Sequence, residues 1–209
     1  METYDFIVLP FVEIEVRLGT ITKQHFDSSV DKKYFEKIKE TLESGEWKTI
    51  VNKNTVEYIK SSGNGNLKLI TDVTTNKDTK TTLLLKEKVK NEDFQINTSP
   101  FDIRFSINQE FKLNSQIGTF SKTDCLIRTK TRKSFISDNF CYDLTIVNEN
   151  NNGINKTKYE IEIELLVNKE TITWKSIYIN DFLECKIYDL INIVEPIDRD
   201  KFKINLIKK

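Results

Sequence analysis

Three glutamates alternate with apolar residues in Tyr159-Glu160-Ile161-Glu162-Ile163-Glu164-Leu165. Successive side chains of a β-strand point to opposite faces, so Glu160, Glu162 and Glu164 project together, roughly 6–7 Å apart, while Ile161, Ile163 and Leu165 face the other way. Three carboxylates in line repel one another, and sheltered from water they must be protonated or neutralised. A hard divalent cation would neutralise them. The same pattern recurs far away in sequence, in Val12-Glu13-Ile14-Glu15-Val16-Arg17-Leu18-Gly19, where Glu13, Glu15 and Arg17 share a face. Two acidic ladders at opposite ends of one chain suggest a single site.

Basic residues alternate as well. Arg128, Lys130 and Arg132 share one face of Ile127-Arg128-Thr129-Lys130-Thr131-Arg132-Lys133-Ser134-Phe135, and Lys86 and Lys88 share a face in Leu85-Lys86-Glu87-Lys88-Val89. In Phe101-Asp102-Ile103-Arg104-Phe105-Ser106-Ile107-Asn108-Gln109-Glu110-Phe111 a polar set containing Arg104 opposes an apolar set, and Asp143 and Thr145 oppose Leu144 and Ile146. Any antiparallel sheet with one solvated face alternates in this way. Solubility, however, favours faces of mixed sign, and here the acidic strands are almost purely acidic and one basic strand purely basic. A barrel closed with these faces inward would carry metal on one wall and a multiply charged anion on another.

The elements that would position these residues fit one domain spanning residues 1–209, with 38% hydrophobic content and enough length for a real core. An opening strand is expected over 4–18, ending at Gly19. An amphipathic helix is expected over 28–42, capped by Ser28 or Ser29, with Tyr34, Phe35, Ile38 and Leu42 on one side and Gly45 beyond its end. Two strands between 56 and 73 flank a turn at 61–66. Further strands follow at 81–89, 101–111, 125–136, 140–147 and 158–166, with 148–153 as an exposed hairpin tip. A second helix, capped by Asn180 and carrying Phe182, Leu183, Ile187, Leu190, Ile191 and Val194, stops at Pro196.

Other chemistries lack parts. The single histidine, His25, reads as a loop residue, so zinc sites and Ser-His-Asp catalysis have too few members. Cys125, Cys141 and Cys185 are odd in number, show no metal-type spacing and follow no secretory-type or long apolar segment, so a reducing intracellular compartment is expected. Basic and acidic residues balance at 32 each, which argues against a protein that coats nucleic acid.

Taken in order, the two Glu-x-Glu strands, Pro100-Phe101-Asp102-Ile103-Arg104-Phe105-Ser106-Ile107-Asn108-Gln109-Glu110, Arg128-Thr129-Lys130-Thr131-Arg132-Lys133-Ser134-Phe135 and Tyr142-Asp143-Leu144-Thr145 resemble the metal-dependent RNA 5′-triphosphatases of fungal and viral mRNA capping, members of the triphosphate tunnel metalloenzymes. The resemblance covers nearly the whole chain. It implies a mostly β (α+β) fold, an eight-stranded antiparallel barrel around a hydrophilic tunnel with a few flanking helices. It implies that Glu13, Glu15 and Glu164 ligate manganese or magnesium, for which oxygen-only ligation is suited. Glu160 and Glu162 would complete the acidic wall through water. Arg104, Arg128, Lys130 and Arg132, with Lys86, Lys68 and Lys88, would grip the triphosphate. Asp143 would orient a basic side chain, with Thr145 and Arg17 in support. For Lys68, Lys88 and Arg17 a solvated or salt-bridged side chain is an equally good reading.

The implied reaction removes the γ-phosphate from a 5′-triphosphate RNA end to leave a diphosphate, with free nucleoside triphosphates as further substrates. Cys141 departs from the pattern, standing where fungal members carry a basic residue. No Lys-x-Asp-Gly motif is present, so no guanylyltransferase domain is expected and a separate guanylyltransferase would be the partner. The chain resembles the compact viral type, for which a monomer without membrane association is expected, in cytoplasm, viral factory, virion or nucleus. Two other readings stand beside this one: a tunnel hydrolase of free nucleotides, inorganic triphosphate, polyphosphate or thiamine triphosphate, or a non-catalytic anion-binding barrel.

Overall fold

In the computed structural model, which describes residues 9–207 except 24, 76–78, 98 and 152, the alternating segments become long antiparallel strands. The elements are β1 (Val12–Thr22), β2 (His25–Asp27), α1 (Lys32–Glu43), β3 (Thr49–Ser62), β4 (Gly65–Asp72), β5 (Lys80–Ile96), β6 (Asp102–Lys112), β7 (Leu126–Ile136), β8 (Phe140–Asn151), β9 (Ile154–Leu165), α2 (Ser176–Val194) and β10 (Ile204–Leu206). Eight strands close a barrel in the order β5-β4-β3-β7-β8-β9-β1-β6, with β6 returning to β5; β2 and β10 extend β1 and β5 at its margins. Among the described residues no helix is long and apolar enough to cross a membrane.

The apolar phase of each ladder decides which way it faces. Ile14, Val16 and Leu18 of β1, Ile103, Phe105 and Ile107 of β6, and Ile161, Ile163 and Leu165 of β9 point outward and are all but fully buried beneath the two helices. Phe35, Ile38 and Leu42 of α1 and Ile179, Leu183, Ile187, Leu190 and Ile191 of α2 complete that core. Burying such side chains stabilises by about 1.5–3 kcal/mol each, and this sandwich holds the polar phase of the same strands inside the barrel.

Several boundaries depart from expectation. β1 runs through Gly19 to Thr22, because a Cβ at Gly19 would lie 2.2 Å from the Asp27 carbonyl oxygen, and its absence lets β2 fold back alongside. His25 therefore sits in a short strand rather than a loop. Residues 4–8 of the expected opening strand lie outside the described residues. The cap of α1 is Asp31, whose carboxylate accepts from the Lys33 amide at 2.8 Å, not Ser28 or Ser29. Asn180 lies inside α2, which starts at Ser176 with no side-chain cap; burial of Ile179 and the edge-to-face packing of Trp174 with Tyr178 and Phe182 carry the helix a turn further back. β5 continues to Ile96 past a bulge between Lys88 and Lys90, which breaks the alternation that would have revealed its second half. The expected tip 148–153 is mostly ladder: β8 and β9 pair out to Asn151 and Ile154, around Gly153 at φ 86°, with Asn152 outside the described residues.

Candidate active site

Closing the barrel brings the two acidic ladders together. β1 and β9 are neighbours, with Glu15 directly opposite Glu164 and Arg17 opposite Glu162. Two strands further round, β7 presents Arg128, Lys130 and Arg132. The interior is a cavity of about 770 Å³ lined by Glu13, Glu15, Arg17, Lys68, Lys86, Lys88, Arg104, Arg128, Lys130, Arg132, Glu160, Glu162 and Glu164, among others. Of the sequence-derived candidates, Asp143 and Thr145 alone are off its surface; they stand behind Arg132.

Opposite charges interlock across this space. Arg17 bridges the two ladders, with Nη2 3.0 Å from Glu15 and Nε 2.8 Å from Glu162. Arg132 reaches Glu162 at 3.0 Å, donates to Thr145 Oγ1 at 3.0 Å and pairs with Asp143. Arg128 pairs with Glu160 at 2.6 Å and Glu149 at 3.1 Å. Lys86 pairs with Glu13, 3.7 Å from Glu15 and 3.4 Å from Glu110. Arg104 makes a two-pronged pair with Asp93, at 2.7 and 3.0 Å, and lies over the Phe26 ring at 4.7 Å.

Burial and neighbouring charge set the ionisation along the ladders. Burial opposes the Glu162 charge, but Arg17 and Arg132 outweigh it and hold that carboxyl well below the usual carboxylate range. Glu15 is held down in the same way by Arg17 and Lys86. Glu164 has no such clamp: burial, with Glu13 and Asp143 nearby, pushes it up to about 8. Burial and Glu15 likewise raise Glu13. Burial, Lys86 and Lys130 together push Lys68 down to about 8.

The Glu13, Glu15 and Glu164 end thus carries carboxylates that cannot all ionise unaided. As the side chains stand, no three acidic, histidine or cysteine groups among the described residues converge closely enough to hold an ion, and Lys86 lies against Glu13 and Glu15. The donor chemistry nevertheless fits a hard cation: oxygen ligands only, on adjacent strands, with excess negative charge that such an ion would relieve.

Sequence reasoning missed several residues that hold these groups. Glu57 on β3 receives Lys130 Nζ at 2.9 Å. Asp93 anchors Arg104, Asn108 donates to Glu13 at 3.1 Å and Glu15 at 3.3 Å, and Ser28 Oγ donates to Glu160 at 3.1 Å. Glu149, assigned to an exposed tip, is a strand residue held between Arg128 and Lys158. Cys141 is buried and its thiol donates to Asp143 at 3.1 Å; burial and that carboxylate push it up, so it is a neutral donor.

A closed antiparallel barrel with opposed carboxylate and guanidinium walls inside it defines a class of hydrolase that handles multiply charged phosphate anhydrides. Residues 20–177 match the family described as mRNA capping enzyme, beta chain, and the chain belongs to that family of RNA triphosphatases, which are phosphoanhydride hydrolases. The match begins beyond Glu13, Glu15 and Arg17. Among solved structures, the chain is similar to the RNA triphosphatase Pct1 of S. pombe, with a TM-score of 0.72 at 16% identity over 90% of this chain and 88% of that one. It is similar also to Pct1 in complex with the Spt5 CTD, with a TM-score of 0.70 at 16% identity and the same coverage. No curated protein matches the chain.

Proposed function

We propose that this chain removes the γ-phosphate of 5′-triphosphate-ended RNA, with manganese or magnesium as cofactor, leaving a diphosphate end and inorganic phosphate. The observation that carries this reading is the pairing of Glu15 with Glu164 on adjacent strands inside the barrel, facing Arg128, Lys130 and Arg132. Glu13, Glu15 and Glu164 would hold the cation, which when bound neutralises phosphate charge and polarises a phosphoryl oxygen. Phosphoryl transfer otherwise needs positioning and charge neutralisation. Each tunnel cation named above except Lys68 and Lys88 has a carboxylate partner among the described residues, so an entering triphosphate exchanges one anion for another while the side chains keep their directions.

Glu162, fixed by Arg17 and Arg132 and held ionised, orients the attacking water by accepting a hydrogen bond from it. So strongly ionised a carboxylate is a poor proton acceptor, so its role is alignment rather than general-base catalysis. Asp143 and Thr145 act through Arg132. The charged groups address only the triphosphate, so free nucleoside triphosphates are substrates of the same site. The diphosphate product is the acceptor that a separate guanylyltransferase needs.

The test is release of γ-phosphate from triphosphate-ended RNA with manganese or magnesium and with chelator. The expected outcome is metal-dependent release of inorganic phosphate and a diphosphate end. Pyrophosphate release, or no release with either metal, would refute the reading.

A further inference from the structure

The tunnel is not uniform along its length. β3 is parallel to β1 across the barrel, so the β3–β4 hairpin lies at the end opposite Glu13, Glu110 and Glu164. Toward that hairpin three neighbouring strands lose their charge: Lys68 gives way to Asn66 on β4, Glu57 to Ile59 on β3, and Arg128 to Leu126 on β7, all of them lining the cavity. Ile59 and Leu126 are paired directly across β3 and β7 and both are half-buried, so two aliphatic side chains stand together on the tunnel wall. Beyond them the hairpin tip is pressed onto β5. Asn64 Nδ2 donates to the Lys88 carbonyl at 2.8 Å, and a Cβ at Gly65 would lie 2.2 Å from the Lys86 carbonyl oxygen.

The Ile59 and Leu126 side of this end suits a group that is flat, largely apolar and rich in hydrogen-bonding edges, with Lys88 beside the hairpin tip. The opposite end carries Glu13, Glu110 and Glu164, which favour a phosphate only through the cation that Glu13 and Glu164 would hold and offer nothing to a base. We propose that the 5′-terminal nucleoside of the substrate sits at the β3–β4 hairpin end against Ile59 and Leu126, with its triphosphate pointing inward so that the γ-phosphate lies nearest Glu13 and Glu164. The inference rests on the triphosphatase reading and adds the direction in which the substrate lies. It also gives the rest of the RNA a path: the outer face of the same end carries Lys122 over Tyr58 at 4.6 Å and Lys60 over Phe120 at 5.9 Å, cation and aromatic groups of the kind that follow a single strand.

The test compares a ligand that has a nucleoside with one that lacks it. In Ile59→Ala/Leu126→Ala protein, KM and equilibrium Kd for triphosphate-ended RNA are expected to rise about tenfold, with little change in kcat. The inhibition constant and Kd of inorganic triphosphate are expected to stay within about twofold of wild type, which also reports an intact tunnel. Ile70→Ala, at the glutamate end, is expected to leave the ratio of the two ligands unchanged. Equal losses for both ligands, an RNA affinity indifferent to the double substitution, or a selective RNA loss from Ile70→Ala would overturn the placement. Wild-type protein that binds triphosphate-ended RNA but hydrolyses nothing would overturn the hydrolase reading alone, and the affinities would still test where the nucleoside lies.

Discussion

The barrel wall formed by β6, β1, β9 and β8 is backed by α1 and α2, whereas β3, β4 and the first half of β5 are bare of that helical core and carry on their outer faces half-exposed residues and a small buried pair, Leu69 and Leu83. On β1 the outward residues Ile14, Val16 and Leu18 are fully buried, and Glu15 inside is 4% exposed. On β3 the relation inverts: the buried residues are Thr55 and Glu57, which face inward, while outward Val56 and Tyr58 stay half-exposed. The backed wall therefore draws its rigidity from apolar packing. The bare wall is held by strand pairing, by the small apolar contact of Leu69 with Leu83 and by the ion pairs inside the tunnel. Stability and substrate binding are separable on the first wall and meet in tunnel residues such as Glu57 on the second.

That contrast can be pressed, beginning with the largest effect. Ile163→Ala, in the core behind Glu162, is expected to cost about 3–4 kcal/mol of unfolding free energy, against less than about 1 kcal/mol for Val56→Ala on the bare wall; denaturant unfolding compares the two. Equal costs would remove the distinction. Glu15→Ala and Glu162→Ala are each expected to lower γ-phosphate release by at least about 100-fold while circular dichroism stays that of wild type. Glu57→Gln weakens the hold on Lys130 from the bare wall, and about a tenfold rise in KM is expected, of the size of one charge-assisted hydrogen bond.

The smallest effect is in pH dependence. An unfolded lysine titrates near about 10.4 and Lys68 in the fold near about 8. Between these values the unfolded chain binds more protons, so stability rises with pH, and the cost of the buried charge is fully present below about 8. Lys68→Met is expected to raise Tm by a few degrees at pH 7, and that advantage is expected to close by about pH 10.5. An advantage that stays constant across this range would place Lys68 in solvent.

The same contrast explains what could be read from the residues alone. Where helices cover a strand, its outer phase must be apolar, so Glu13, Glu15, Glu160, Glu162, Glu164 and Arg104 stood out against isoleucine, valine and phenylalanine. Where the outer face is bare, both phases are mixed. Thr55-Val56-Glu57-Tyr58-Ile59 offers no indication of which side faces in, and Glu57 was missed for that reason. The β5 bulge at Lys88 to Lys90 shifts the phase and concealed Asp93. Asn151 and its neighbours have turn composition, yet pairing with β9 keeps them in the ladder and places Glu149 beside Arg128. Ser28 and Ser29 have the composition of a helix cap, yet Asp31 caps α1 and Ser28 contacts Glu160 instead. Arg17 and Lys68 had equally good ordinary readings in the sequence; barrel closure alone puts Arg17 between two glutamates and Lys68 among lysines.

Whether the two walls work as one site is tested most directly by a double-mutant cycle on γ-phosphate release from triphosphate-ended RNA, using Glu162→Gln on the acidic wall, Arg132→Met on the basic wall, and both together. Residues that fix one water and one phosphate as a unit give a double variant about as slow as the slower single variant. Losses that simply multiply would mean that the acidic and basic strands act independently, and would contradict a single tunnel site.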